Sequence, residues 1–196
     1  MAFATIDVTK GITGTIPVAN GGTGLASGTS GQFLKFTGST TVASSAVDAG
    51  KVLQVVNQVY STEVTRTSTS YGNSGIDATI TPSATGSKVL VLMNCGQIGT
   101  GNDNDQGITM KLTRSIGAAD TDLIAQIHNN AGAFTNLAGS VYRDFTGHAS
   151  VAYLDSPSST SACQYRIYFK CRNTNTFAGV QIGSSTSTIC LMEIGA

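Results

Sequence analysis

The nine residues Gln164-Tyr165-Arg166-Ile167-Tyr168-Phe169-Lys170-Cys171-Arg172 alternate strictly. Tyr165, Ile167, Phe169 and Cys171 fall on one side, and Arg166, Tyr168, Lys170 and Arg172 on the other. Period two is a strand's signature, with the first set facing a core and the second facing solvent or a partner. Similar segments recur at 61–69, 76–81, 88–97, 107–115, 122–128, 137–144, 148–155, 177–182 and 187–194. Turn chemistry separates them: Gly72–Gly75, Pro82–Ser87, Gly101–Gly107, Asn129–Ala133, Ser156–Ser161 and Gly183–Ser185. Short strands at regular spacing predict an all-β sandwich or barrel.

Two segments refine that picture. Val89-Leu90-Val91-Leu92-Met93 is apolar at both parities, so both faces of that strand are covered. One face meets the core. The cover for the other is a neighbouring subunit or the chain's own loops. Thr188–Ile194 is apolar up to the last residues, which places that strand inside a sheet.

Residues 1–59 are different. Glycines at 11, 14, 21, 22, 24, 28 and 31 punctuate β-prone pieces, none able to bury a face alone. Gly31-Gln32-Phe33-Leu34-Lys35-Phe36 and Gly50-Lys51-Val52-Leu53-Gln54-Val55 share one pattern, 19 residues apart. They suggest a repeated strand-and-turn unit that buries its apolar residues against other chains. The expected organisation is an extended shaft over 1–59 and a β-sandwich head over 60–196. If strands reverse regularly, the loops at 71–75, 98–106, 129–136, 156–162 and 183–186 lie at the end away from the shaft.

Composition narrows the function classes. Charged residues make up 11% of the chain, against about 25% in ordinary globular proteins. Ser and Thr fill the gap, as on hydroxylated outer strand faces. The formal net charge is zero, so there is no basic surplus for nucleic acid and nothing to hold copies apart. Met1–Val8 lacks the layout of a signal peptide, and no apolar run approaches a membrane span, so no membrane insertion is expected.

Searches for chemistry find little. Cys163 and Cys171 stand eight residues apart on one strand, about 26 Å, beyond disulfide reach. Four free thiols are expected, with Cys95, Cys171 and Cys190 as small apolar fillers. His128 reads as a loop-edge residue and His148 as a turn residue, neither in a metal-spaced cluster. Gly101–Gly107 lacks the glutamate and spacing of a calcium loop and reads as a solvated hairpin loop. There is no nucleophile elbow, P-loop or obvious carboxylate pair for glycan cleavage. The expectation is no enzyme, no metal and no cofactor.

Resemblance adds a family. Ile16-Pro17-Val18-Ala19-Asn20-Gly21-Gly22-Thr23-Gly24 resembles the LPVANGGTG element common in bacteriophage tail fibres. The two Gly-x-apolar-Leu repeats are similar to fibre-shaft units. Thr79–Val91 and Ser187–Ile194 resemble a head domain of marine and cyanobacterial virus structural proteins. This implies a virion protein assembled in the host cytoplasm, a homotrimer with a jelly-roll head of the tumour-necrosis-factor type. Its N-terminal segment would join tail or capsid proteins, with Ile16, Pro17, Asn20, Gly21, Gly22 and Gly24 at the attachment point or trimer axis. Its far loops would meet a host glycan or protein through Tyr71, Asn73, Asn102, Asp103, Asn104, Asp105, Asn129 and Asn130, with Tyr71 the first aromatic to test. Because few residues precede the glycine element, a short fibre or fibre tip is expected, with a capsid-surface fibre or decoration protein as the alternative.

Overall fold

Gly31 and Gly50 both take positive φ, 79° and 97°, and each launches a strand two residues later. A side chain resists that backbone conformation, so glycine at these two positions sets the repeated turn-and-strand unit. The computed structural model describes residues 16, 22, 23, 25, 27–39, 41–45, 50–101, 107–131, 145–174 and 177–195. The chain divides into two compact units, Met1–Ala49 and Gly50–Ala196.

In the first unit, β1 (Phe33–Phe36) pairs antiparallel with β2 (Val42–Ser45), from Phe33 opposite Ser45 to Phe36 opposite Val42. An isolated two-stranded ribbon is marginal in water. This one leaves Phe33 65% and Phe36 71% exposed, so the described ribbon does not bury these two rings.

The second unit holds β3 (Val52–Tyr60), β4 (Val64–Arg66), β5 (Gly72–Ile80), β6 (Lys88–Thr100), β7 (Ile108–Ile116), β8 (Ala119–Ala131), β9 (Phe145–Asp155), β10 (Cys163–Cys171), β11 (Ala178–Val180) and β12 (Ser187–Ile194). One sheet has the order β5-β10-β7-β8. The other runs β3-β12-β6-β11-β4, with β9 also on β6. Every described pairing is antiparallel. The sheets β3-β12-β6-β9 and β5-β10-β7-β8 take strands from along the whole unit, an all-β sandwich consistent with a jelly roll. β3 pairs along its length with β12, so residues 52–60 are hydrogen-bonded into this unit's sheet.

The core lies between the sheets. β10 contributes Tyr165, Ile167, Phe169 and Cys171, all fully buried, as the alternation requires. Val89, Val91 and Met93 of β6 and Ile189 and Leu191 of β12 face them from the other sheet. β12 lies between β3 and β6, inside its sheet.

Several expectations change. Gly72-Asn73-Ser74-Gly75 is not a turn; it is the start of β5. Opposite β10 the register slips between the pairs Arg166–Asp77 and Tyr168–Asn73. The surplus residues form a bulge in which Gly75 has φ 80°. Gly75 N donates to Asn73 Oδ1 at 2.9 Å, and Ile76 N donates to Ser74 Oγ at 3.1 Å. Local side-chain bonds of this kind make turn chemistry, and here they are absorbed into a strand. Gly101–Gly107 does not join a hairpin, because β6 and β7 lie in opposite sheets. Asn129 and Asn130 belong to β8 and His148 to β9. The expected strand at 137–144 lies outside the described residues.

The loop map is corrected in part. Gly50 N donates to Gly195 O at 2.8 Å and Gly195 N to Lys51 O at 2.9 Å, so entry to this unit and the end of β12 share one end of the sandwich. Loop 156–162 lies at that same end, because Asp155 pairs with Val89, and Cys163 with Ile80 and Ile116. β8 finishes and β9 starts at the opposite end, so β9 runs back toward the Gly50 end, whereas regular reversal through a strand at 137–144 would have it running away from that end. Residues 183–186 sit mid-sheet, where Gln97 N donates to Ser185 Oγ at 2.6 Å. At the far end, Cys171 N donates to Ser68 O, Gly101 N to Phe177 O and Arg172 N to Gly107 O, at 2.9–3.0 Å.

Candidate interaction surfaces

The six-stranded sheet turns β6 into a two-faced strand. Val89, Val91 and Met93 point into the core, so Leu90 and Leu92 point outward. Cross-strand register lines them up with neighbours. Val55, Met192, Leu90 and Leu154 form one row across β3, β12, β6 and β9. Asn57, Cys190, Leu92 and Ala152 form the next. Four strands at about 4.8 Å spacing make the first row about 15 Å wide. Neither row contains a charged side chain. Val55 is 55% exposed and Leu154 50%, with Val52 and Val59 exposed beside them. Apart from Asn57 the two rows are apolar, and an exposed apolar patch of this kind is a place for another surface. The double apolarity of Val89–Met93 shows in the sequence. Val55 falls in the Gly50–Val55 repeat and Met192 in the last strand, but only pairing register brings them into line with Leu90 and Leu154.

The outer face of the four-stranded sheet is polar. Tyr71 precedes β5 and lies over this face, its hydroxyl donating to Ala125 O at 3.3 Å. Lys111 Nζ is 4.7 Å and Lys170 Nζ 4.9 Å from its ring centroid. Lys111 also donates to Asp122 Oδ1 at 2.7 Å. Burial raises the Tyr71 pKa, and Lys111 works against that. The half-buried ring already has cation partners, so a ligand stacking on it would compete with two ammonium groups.

The remaining expected contact residues scatter. Asn73 is exposed in the β5 bulge, its side chain occupied by Gly75 N. Asn129 and Asn130 lie near the far end of β8. Asn102, Asp103, Asn104 and Asp105 lie outside the described residues. Of the glycine element, Pro17, Asn20, Gly21 and Gly24 also lie outside them. Gly22 and Ile16 lie together: a Cβ on Gly22 would stand 2.1 Å from Ile16 O, so a larger residue is excluded there.

Two buried carboxylates of the sandwich, Asp155 and Glu193, are held by hydrogen bonds from the chain itself. Arg114 Nη1 donates to Asp155 Oδ1 and Oδ2 at 2.9 and 2.7 Å, and the Tyr165 hydroxyl donates to Oδ2 at 2.7 Å. Burial, then the Asp155 charge and hydrogen bond, push the Tyr165 pKa up. Glu193 is fully buried at the inner side of β12. Its Oε1 accepts from Ser83 N at 2.7 Å and Ser83 Oγ at 2.6 Å, and Oε2 from Gln54 Nε2 at 2.6 Å. Burial pushes its pKa up, but these hydrogen bonds outweigh it and hold the carboxyl down at about 2. Neither carboxylate is free to act as a base. Cys95, Cys163, Cys171 and Cys190 are free thiols, and burial raises Cys95 to about 11. Among the described residues, no three His, Cys, Asp or Glu side chains could hold a metal ion, and no helix is long and apolar enough to cross a membrane.

No family model matches the chain, and no curated protein matches it in sequence. Solved structures similar to it include the VP2 subviral particle of infectious bursal disease virus, at TM-score 0.38 and 8% identity over 82% of this chain. The Gx strain of infectious bursal disease virus follows at TM-score 0.33 and 9% identity, again over 82% of this chain. The chain spans 42% and 43% of those chains. A likeness this loose assigns no function to this chain.

Proposed function

We propose that the chain is a non-enzymatic virion-surface protein whose sandwich heads associate as a homotrimer through the apolar face of the six-stranded sheet. The observation that carries this reading is the uncharged row Val55–Met192–Leu90–Leu154, open to solvent in the single chain. The occupant of this face is a second copy of the chain. The two rows carry no charge and offer little to a charged partner, and a chain of zero formal net charge does not repel its own copies. Covering the exposed half of Leu154 contributes about 1 kcal/mol, half of what full burial of a leucine gives.

Attachment runs through the N-terminal segment, which carries the fibre-like glycine element. Entry to the sandwich at Gly50 lies opposite the end bearing Gly101, Gly107 and Arg172, which leaves that end for an outside contact. A capsid-surface fibre or decoration protein and a short tail-fibre tip that binds a host surface share this layout. The resemblance of Ile16–Gly24 to tail-fibre elements favours the tip; gold-labelled antibody on virions separates the two by marking capsid or tail.

Light scattering of the full chain at micromolar concentration tests the assembly. A trimer mass is expected, and Leu154→Glu should convert it to monomer without loss of the β-rich circular dichroism spectrum. A monomer mass for the unmodified chain, or a trimer that survives Leu154→Glu and Val55→Glu alike, refutes this interface.

A further inference from the structure

Arg66 ends β4, at the edge of the six-stranded sheet, and its side chain reaches toward the first residue of β5 in the other sheet. There it passes across Gly72 so closely that a Cβ on that residue would lie 1.8 Å from Arg66 Cζ and 2.0–2.2 Å from Nη1 and Nη2. Cζ is 6.0 Å from the Phe169 ring centroid. Gly72 is therefore the gap through which the guanidinium lies between the two sheets.

This guanidinium has no ion pair and donates no hydrogen bond among the described residues, and its Nε is buried without a partner. The described carboxylates are used elsewhere. Glu63 accepts from Gly183 N, Asp77 from Tyr60, Asp122 from Lys111, Asp155 from Arg114 and Glu193 from Ser83, while Asp120 lies 3.7 Å from Arg166. A mostly buried cation without a counter-charge among the described residues is costly, and a fixed planar fork of N–H donors suits a two-oxygen anion. Beside it opens a cleft of about 450 Å³, lined by Thr65, Arg66, Thr67 and Ser68, which adds hydroxyl groups to the cation.

We propose that this cleft binds one oxyanion group, a carboxylate or a phosphate carried by a partner molecule, with Arg66 as the bidentate anchor. The site stands on Arg66, Gly72 and the cleft, and does not depend on the assembly proposed above.

The test is a titration of isotope-labelled full-length protein followed by backbone amide NMR at Thr67, Ser68 and Gly72. Sodium glucuronate and inorganic phosphate are the two probes, with sodium chloride at matched ionic strength as the control. Saturable shifts at these amides are expected with at least one probe. Response to glucuronate alone marks the group as a sugar-acid carboxylate, and response to phosphate alone as a phosphate. Arg66→Lys keeps the charge but loses the fork, and should weaken binding about tenfold or more. Shifts that follow sodium chloride, or equal affinity in Arg66→Lys, overturn the site. If Arg66→Lys does not fold, the comparison of each probe with sodium chloride on the unmodified protein decides alone.

Discussion

Glu193→Gln removes the charge from the one carboxylate that ties β12 to both β3 and the 81–87 loop. The carboxyl sits at about 2 in the folded chain against an ordinary value of 4.5. That gap of about 2.5 pH units, at about 1.36 kcal/mol per unit, sets a ceiling near 3 kcal/mol on what its ionised form contributes to stability. The folded pKa is depressed, so the contribution is complete above about 4.5 and disappears as pH falls toward about 2. Glutamine has the same shape but only one acceptor oxygen, so either the Ser83 pair or Gln54 loses its partner. At pH 7 the variant should be less stable by about 2–3 kcal/mol. Urea denaturation of both proteins at pH 7, 5 and 3 measures the difference. It should hold between pH 7 and 5 and narrow by pH 3, because the unmodified protein loses what the variant already lacks. A difference that stays constant down to pH 3, or a variant as stable as its parent at pH 7, refutes the assignment of a stabilising buried carboxylate.

Two further outcomes follow from the interior. Arg114→Met leaves Asp155 buried with only the Tyr165 hydroxyl, and should cost about 3–5 kcal/mol in urea denaturation; a loss under 1 kcal/mol would mean that water replaces the guanidinium. In thiol labelling of the native protein at pH 8, Cys95, Cys163 and Cys171 should stay unreactive while Cys190 reacts slowly, and unfolding in urea should expose all four; rapid native labelling at Cys95 would contradict its burial and raised pKa.

What the sequence determined by itself is local. Alternation in Gln164–Arg172 placed Tyr165, Ile167, Phe169 and Cys171 in the core, because side chains on a strand point to opposite faces residue by residue. The doubly apolar Val89–Met93 marked β6 as apolar on both faces, of which the folded chain buries one and leaves the other outward, and the apolar ending showed that β12 lies inside a sheet. The repeated Gly31 and Gly50 patterns marked two turns of the same kind.

Tertiary structure decided everything that depends on pairing. Whether Gly72-Asn73-Ser74-Gly75 bends the chain back or bulges a strand is set by whether β10 lies alongside to hydrogen-bond it. Gly101–Gly107 has turn composition, but the sheet that each flanking strand joins makes it a crossover. Tyr71 looked like a loop aromatic until Lys111 and Lys170, 40 and 99 positions further along, came within 5 Å of its ring. The apolar row likewise gathers residues from distant strands, and Arg66 meets Gly72 and Phe169 only because the two sheets pack together. Period two is written in neighbouring residues, whereas register and sheet membership are settled by contacts between residues far apart in the chain, and only the folded molecule brings those together.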